Sequence, residues 1–186
     1  MKTCNRLLLS SCLFLLAGVA RAQDVSSGPE SGTKVPELKV YDATGAHKEK
    51  DVDYSADRKD KPTVYLFINA EKFDRPMNRF MKTLDGAVKK DFEGAYVVAV
   101  WVGGDADKTK ELLPRVQQSV QYEATALTLF AGDKEGPKGW GVNADVRLTA
   151  VVANKAKVTA RFGYQSVNET DVPKVKEALE KAIKVK

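Results

Sequence analysis

Cysteine is nearly absent from this chain of 186 residues, and its two cysteines, Cys4 and Cys12, both lie near the amino terminus. Residues 1–22 have a basic start, an apolar stretch and Ala20-Arg21-Ala22, a small-x-small pattern typical of a cleavage site. Together these features predict a secretory signal peptide over 1–22, with Gln23 as the mature N-terminus. Cleavage there removes both cysteines, which excludes a disulfide, a reactive thiol and a cysteine metal site from the exported chain.

A lipoprotein signal is the second interpretation of this segment, because Leu9-Ser10-Ser11-Cys12 resembles a lipobox. Only three leucines precede Cys12, and the apolar run continues past it to Val19, so we favour the plain signal peptide. That run is also too short to span a bilayer as a helix. We therefore expect a periplasmic or extracellular protein without a transmembrane segment after cleavage.

Excess charge and histidine are also scarce. The whole chain carries a net charge of +5, and loss of the three basic residues in the signal leaves 27 basic against 25 acidic residues, or +2. A surface this mixed has no electrostatic footprint for nucleic acid. His47 is the single histidine and lies in a highly charged stretch. We predict that it is exposed, and we predict no metal site and no cofactor.

The remaining chain is predicted to form one domain. Residues 23–34 are rich in Ser, Gly and polar side chains and are predicted to be a flexible leader, and 35–184 are long enough for one core. Hydrophobic periodicity predicts strands and helices in the order β-α-β-α-β, followed by a hairpin and a closing helix. Alternating strands and helices require parallel pairing, whereas the hairpin adds antiparallel strands. The predicted fold class is therefore α/β, a three-layer sandwich with a mixed central sheet.

The predicted boundaries follow from apolar runs and helical spacing. A highly charged stretch, 47–60, is predicted to be an exposed connection with at most a short edge strand. The hairpin turn is placed at Asn154-Lys155, and Thr170 or Asp171 is the expected N-cap of the last helix. The predicted strands are 36–41, 63–69, 95–102, 126–130, 148–153 and 157–162, and the predicted helices are 77–88, 112–120 with a kink or restart at Pro114, and 172–183.

Three phrases carry a family resemblance. Residues 32–45 have a Gly-x-x-x-Pro-x-apolar opening and end in a turn glycine, 61–70 form an apolar strand before a polar turn, and 140–153 lead into the hairpin. In this order and spacing they resemble the thioredoxin-like fold, in particular its redoxin branch of peroxiredoxins (alkyl hydroperoxide reductase/thiol-specific antioxidant) and membrane-anchored thiol-disulfide reductases. The resemblance covers nearly the whole predicted domain and implies a thioredoxin-like sandwich.

The departures from that family concern its reactive residues. Family enzymes place a cysteine, or a Cys-x-x-Cys pair, at the N-terminus of the first helix, where the helix dipole lowers the thiol pKa. The resemblance places Phe73 and Pro76 at those positions. Asp145-Val146-Arg147 stands where thioredoxins have a cis-proline, and Arg147 aligns with an arginine that peroxiredoxins keep near their sulfur. Without a sulfur, we expect Arg147 to pair with a carboxylate.

Phe73, Asp74, Arg75 and Pro76, hereafter the corner, are the candidate site. Asp74 is either a catalytic carboxylate or a helix N-cap, and we favour the cap because Pro76 suits an early helical position. Phe73 is either an exposed docking aromatic or packs under the neighbouring loop. Trp101 and Trp140 could both approach the corner and form an aromatic-lined groove, and Trp140 is included in the candidate surface. For Trp101 the favoured prediction is packing in the core. The candidate binding surface is thus Phe73, Asp74, Arg75, Pro76, Trp140 and Arg147.

Three functions are compatible with these patterns. The leading hypothesis is an exported thioredoxin-like module, without thiol redox activity, that binds an unknown protein or small ligand. The alternative is a redox-assisting or peroxiredoxin-related enzyme that uses non-cysteine chemistry or a partner's thiols. A third hypothesis is a structural envelope protein without a defined site. Asn168-Glu169-Thr170 fits a glycosylation sequon but is interpreted as a group of helix-capping residues.

Overall fold

A computed structural model describes residues 25–184. Their strands form one seven-stranded mixed sheet. The predicted signal peptide, with Cys4 and Cys12, lies outside the described residues. The order across the sheet is β2-β1-β5-β4-β3-β6-β7. Its strands are β1 (Lys39–Asp42), β2 (Lys50–Asp53), β3 (Thr63–Asn69), β4 (Tyr96–Val102), β5 (Thr125–Phe130), β6 (Leu148–Asn154) and β7 (Lys157–Tyr164).

Strand directions confirm the predicted mixed sheet. β3, β4 and β5 are parallel to one another, while β1, β2, β6 and β7 join by antiparallel pairing. Every residue of β3 is buried, as the continuous apolar run predicted, because this strand lies inside the sheet and is covered on both faces.

Three long helices, α2 (Arg75–Asp91), α3 (Ala106–Val120) and α4 (Val172–Lys184), cover one face of the sheet. The other helical segments are α1 (Tyr54–Asp57) and short 3-10 helices at Ala70–Lys72 and Glu169–Asp171. The apolar stripes of α2, α3 and α4 join one core cluster with alternate residues of the central strands. The opposite face is covered by α1, by residues 35–38 and by the loop that contains Trp140. The third layer is therefore largely irregular.

Two helix predictions needed adjustment. α3 runs through Pro114 as one continuous helix. The last helical segment begins earlier than Thr170 or Asp171, because Asn168 accepts a hydrogen bond from the Thr170 amide and forms a capping box with Asp171. The capping interpretation of Asn168 is confirmed, and the cap serves the 3-10 turn that precedes α4.

The stretch 47–60 contains more structure than an exposed connection. It forms the edge strand β2 and then α1, whose N-terminus is capped by the Asp53 carboxylate. His47 is partly rather than fully exposed, and its Nε2 lies 3.0 Å from Asp57 Oδ1. Hydrophobic periodicity does not indicate this helix, because its residues are mostly polar and only Tyr54 among them is buried.

The β6–β7 turn lies one residue later than predicted. Its central residues are Lys155 and Ala156, with φ values of 50° and 57°, in the left-handed region that favours glycine or asparagine. The Ala156 amide donates to the Lys59 carbonyl and the Val35 amide donates to the Ala156 carbonyl. These contacts hold the turn in a conformation that its own residues do not favour.

Residues 25–34, for which the sequence predicts a flexible leader, are joined to the sheet by hydrogen bonds from Val25 and Gly32 to β7. Ser27 is buried, and its hydroxyl lies 2.5 Å from the Thr149 hydroxyl. Gly28 packs on the Val151 side chain, and the Lys34 backbone bridges to Lys157. Short polar side chains look like a linker in sequence, but here the Ser27 hydroxyl reaches β6, and the backbone groups of Val25, Gly32 and Thr33 hydrogen-bond to β7.

Within residues 25–184, no helix combines the length and apolar character needed to cross a membrane.

Candidate functional site

The corner connects β3 to α2. β3 ends at Asn69, whose side-chain oxygen accepts from the Glu71 amide and starts the 3-10 turn. The chain is extended at Phe73 and Asp74, and α2 begins at Arg75. The corner therefore lies beyond the carboxyl end of a parallel strand, the edge where open α/β sheets commonly bind ligands.

Asp74 is the N-cap of α2. Its Oδ1 accepts from the Met77 amide at 3.0 Å. Pro76 occupies the second helical position, where a backbone amide would have no acceptor within the helix. The preferred interpretation of Asp74 is confirmed. Its other oxygen, Oδ2, accepts from Arg147 Nη1, so the expected pairing of Arg147 with a carboxylate is also confirmed. Both oxygens of Asp74 are thus engaged.

Arg147 is held by its backbone as well as by its side chain. Its amide donates to the Tyr164 carbonyl at 2.8 Å, and its carbonyl accepts from the Asn69 amide at 3.1 Å. The guanidinium spans from this position, just before β6, to the start of α2. Arg147 therefore fixes the first turn of α2 relative to the end of β3.

Lys72 provides a second connection that the sequence did not predict. Its Nζ donates to the Ala144 carbonyl at 3.4 Å and to the Asp145 carbonyl at 3.1 Å. Together with the Asp74–Arg147 pair, it ties the corner to residues 144–147. No pattern in the sequence signals this contact, because the acceptors are backbone carbonyls more than 70 residues away.

Phe73 packs against Trp101. Their ring centroids are 5.4 Å apart in an edge-to-face arrangement, Phe73 is partly buried, and Trp101 is 1% exposed. Trp101 Nε1 has no hydrogen-bond partner among the described residues. Core packing of Trp101, the favoured prediction, is confirmed, and the structure also shows the alternative, an approach of Trp101 to the corner. Alternation along β4 indicates which way Trp101 points, since it shares a face with Val97 and Ala99 beneath the helices.

Trp140 does not belong to the corner, which corrects the predicted aromatic groove. It is fully buried on the opposite face of the sheet, with its ring 5.0 Å from Tyr65 and 4.7 Å from Phe67. Its Nε1 donates to the Glu37 carbonyl at 2.9 Å. The glycine-rich loop folds over the face to which Phe67 points, and successive strand residues point to opposite faces.

Arg75 is the corner residue whose charge is not engaged. It is exposed, and no carboxylate of the described residues lies within 4.0 Å of its guanidinium. Asp74 and Arg147 neutralise one another, so Arg75 gives the exposed corner a positive charge beside the partly buried Phe73.

The buried carboxylates elsewhere serve the fold. Asp85 accepts from the Ala124 amide at 2.8 Å and the Thr125 hydroxyl at 2.7 Å, which joins α2 to the start of β5. Asp42 accepts from the Tyr54 hydroxyl at 2.8 Å, and burial raises the pKa of Tyr54 well above its usual range. Because their oxygens are hydrogen-bonded inside the protein, these groups are poor candidates for acid–base chemistry. Among residues 25–184, no three His, Cys, Asp or Glu side chains form a metal site.

Comparison with known proteins identifies the fold. No family model and no curated protein matches the chain. Among solved structures, a putative thiol:disulfide interchange protein DsbE from Chlorobium tepidum is 21% identical, with 83% of this chain and 96% of that chain covered and a TM-score of 0.53. A DsbF homologue from Corynebacterium diphtheriae is 18% identical, with 91% and 99% covered and a TM-score of 0.57.

A peroxiredoxin-like protein from Aquifex aeolicus is 18% identical, with coverage of 84% and 92% and a TM-score of 0.56. The fold is thioredoxin-like. At these identities the likeness defines the fold and not the activity. Residues 25–184 of this thioredoxin-like chain contain no cysteine, and its β3–α2 corner presents Phe73, Asp74, Arg75 and Pro76.

Proposed function

We propose that this chain is an exported thioredoxin-like domain that binds a protein or small ligand at the corner and has no thiol redox activity of its own. The observation that carries the proposal is the Asp74–Arg147 pair, which fixes the corner without any sulfur at that position. A surface held in one conformation loses little conformational entropy when a partner binds.

Phe73 and Arg75 support binding rather than a purely structural role. Arg75 is exposed, and no carboxylate of the described residues lies within 4.0 Å of its guanidinium. Phe73 packs on the buried Trp101 and remains partly exposed beside Arg75. A partner with an apolar side chain and a carboxylate would contact the Phe73 ring and pair with Arg75.

The alternative of an enzyme with non-cysteine chemistry draws no support from Asp74. A general base needs a free lone pair directed at substrate. Both oxygens of Asp74 are already engaged, because Oδ1 accepts from the Met77 amide and Oδ2 accepts from Arg147 Nη1.

Site-specific photo-crosslinking tests the proposed surface. A photo-reactive amino acid replaces Arg75 in one variant of the exported chain and Arg115 in the control, since both arginines are exposed and lie on helices. We expect crosslinked products that are specific to position 75 and are reduced by Phe73→Leu. Identical products from positions 75 and 115 would show that the corner is not the binding surface.

A further inference from the structure

A groove separates β7 from α4 on the helical face of the sheet. It has a volume of about 790 Å³, within the range of ligand pockets. Small apolar side chains and one aromatic ring form much of its lining, contributed by Ala160, Phe162, Ala178 and Ala182. Because three of these residues are alanines, the lining is shallow and unbranched and suits a slender aliphatic chain.

This groove is distinct from the corner. β6 runs antiparallel to β3, and Ala153 near the end of β6 pairs with Thr63 at the start of β3. Asn154, which lines the groove, therefore lies toward the end of the sheet opposite Asn69 and the corner. The two surfaces share no residue, so a ligand in the groove is independent of the function proposed above.

The rim of the groove is basic. It includes four lysines, Lys155, Lys157, Lys174 and Lys181, and one acidic residue, Glu177. Glu177 is committed to Lys181, at 2.7 Å. The other three lysines have no carboxylate within 4.0 Å among the described residues, and all are exposed. An apolar floor beneath unpaired cations complements a molecule with an apolar tail and an anionic head.

A peptide strand is a poor occupant because the chain itself covers part of the β7 edge. The Val158 amide donates to the Thr33 carbonyl, and the Val158 carbonyl accepts from the Gly32 amide. Farther along, the Gly163 carbonyl accepts from the Val25 amide. Strand addition requires a continuous free edge. A second copy is also disfavoured, since symmetric docking would bring the same lysines together.

We propose that this groove binds a free fatty acid, with the alkyl chain on the alanine-lined floor and the carboxylate at the hairpin end of the groove, beside Lys155 and Lys157. Burial of the methylene groups supplies the affinity, and the lysines select the anionic head. No bond is made or broken, so the groove is a carrier or sensor site.

Calorimetric titration of the processed chain with laurate, below its micellar concentration, tests this assignment. We expect one laurate per chain and much weaker binding of dodecanol, which has the same tail without the charge. The variant Lys155→Ser/Lys157→Ser removes the two lysines of the hairpin end and should bind laurate about tenfold more weakly. Its matched control, Lys134→Ser/Lys138→Ser, removes two exposed lysines from another loop and should bind normally. Equal affinity for laurate and dodecanol, or equal loss in both double variants, would overturn the proposal.

A groove-filling variant locates the tail. Ala178→Trp places a large ring on the floor and should abolish laurate binding while the circular dichroism spectrum stays unchanged; if Ala178→Trp unfolds, Ala178→Leu should still reduce affinity in the folded state. Retained affinity in the folded variant would contradict the site. Sedimentation with phosphatidylglycerol vesicles, or groove-dependent dimerisation in sedimentation velocity, would replace the free fatty acid by a membrane or a second copy as occupant.

Discussion

The corner and the groove lie on different parts of the same sheet, and their charged side chains differ in how they are paired. At the corner, Asp74 and Arg147 pair with each other, and Lys72 is bound by two backbone carbonyls. Around the groove, Lys157 and Lys174 have no carboxylate within 4.0 Å among the described residues. Charges that pair internally position the backbone, whereas unpaired charges remain free to meet a ligand. Mutation of the paired residues Asp74 and Arg147 should therefore lower stability, whereas mutation of the unpaired Arg75 or of the groove lysines should affect binding.

The largest expected effect on stability comes from Phe73. Phe73→Ala removes a partly buried ring that contacts Trp101 and should lower the free energy of unfolding by about 2 kcal/mol. Phe73→Leu keeps most of the apolar contact and should cost less. Urea denaturation measures both. If Phe73→Ala has no effect on stability, the ring is a docking group without a packing role.

Two substitutions of Asp74 distinguish the contribution of helix capping to stability from that of the ion pair. Asp74→Ala loses both the cap and the Arg147 partner and should cost about 1–2 kcal/mol. Asp74→Asn retains an acceptor for the Met77 amide and should cost less than about 1 kcal/mol, because the pair with Arg147 is partly exposed. Equal losses for the two variants in urea denaturation would assign the effect to the ion pair instead of the cap.

The hairpin beside the groove offers a gain in stability. Ala156→Gly replaces a residue at φ 57° with one that adopts this conformation without strain, and it should stabilise the protein by about 0.5–1 kcal/mol. Thermal unfolding of Ala156→Gly measures the change. Ala160→Gly is the control in an extended strand and should destabilise. A loss of stability in Ala156→Gly would mean that the turn is not strained.

The link between α2 and α4 should depend on pH. A hydrogen bond from Lys176, at 2.6 Å, lowers the pKa of Asp91 below its usual value. Because the folded pKa lies below the unfolded one, the stabilisation is present above about pH 4 and is lost as pH falls through the folded pKa. In Lys176→Met, the urea midpoint should therefore fall less steeply as the pH is lowered below about pH 4. The same dependence of the urea midpoint on pH in Lys176→Met and in the unmodified protein would contradict this assignment.

The smallest expected effect concerns the groove lysines. Lys155→Ser/Lys157→Ser should change the free energy of unfolding by less than about 0.5 kcal/mol, since neither side chain has a carboxylate within 4.0 Å among the described residues. Urea denaturation checks this in parallel with Asp74→Ala. A loss comparable to that of Asp74→Ala would remove the contrast between the corner and the groove.

Sequence patterns predicted the mixed sheet and the Asp74 cap because these depend on local periodicity and on one residue's hydrogen-bonding geometry. They misplaced Trp140, since the side of the sheet on which a long loop folds is not encoded in its own composition. They also missed the packing of Ser27, whose partner Thr149 lies 122 residues away. The groove was not predicted because β7 and α4 meet only in the folded chain.

Redox assays test the central claim most directly. The processed chain beginning at Gln23 is assayed for insulin reduction with dithiothreitol and for peroxide consumption with a thiol donor, with a thioredoxin and a peroxiredoxin as positive controls. The account predicts rates equal to those without protein, because residues 23–186 contain no cysteine. Turnover above that background, proportional to the concentration of the purified chain, would contradict a thioredoxin-like domain that acts by binding alone.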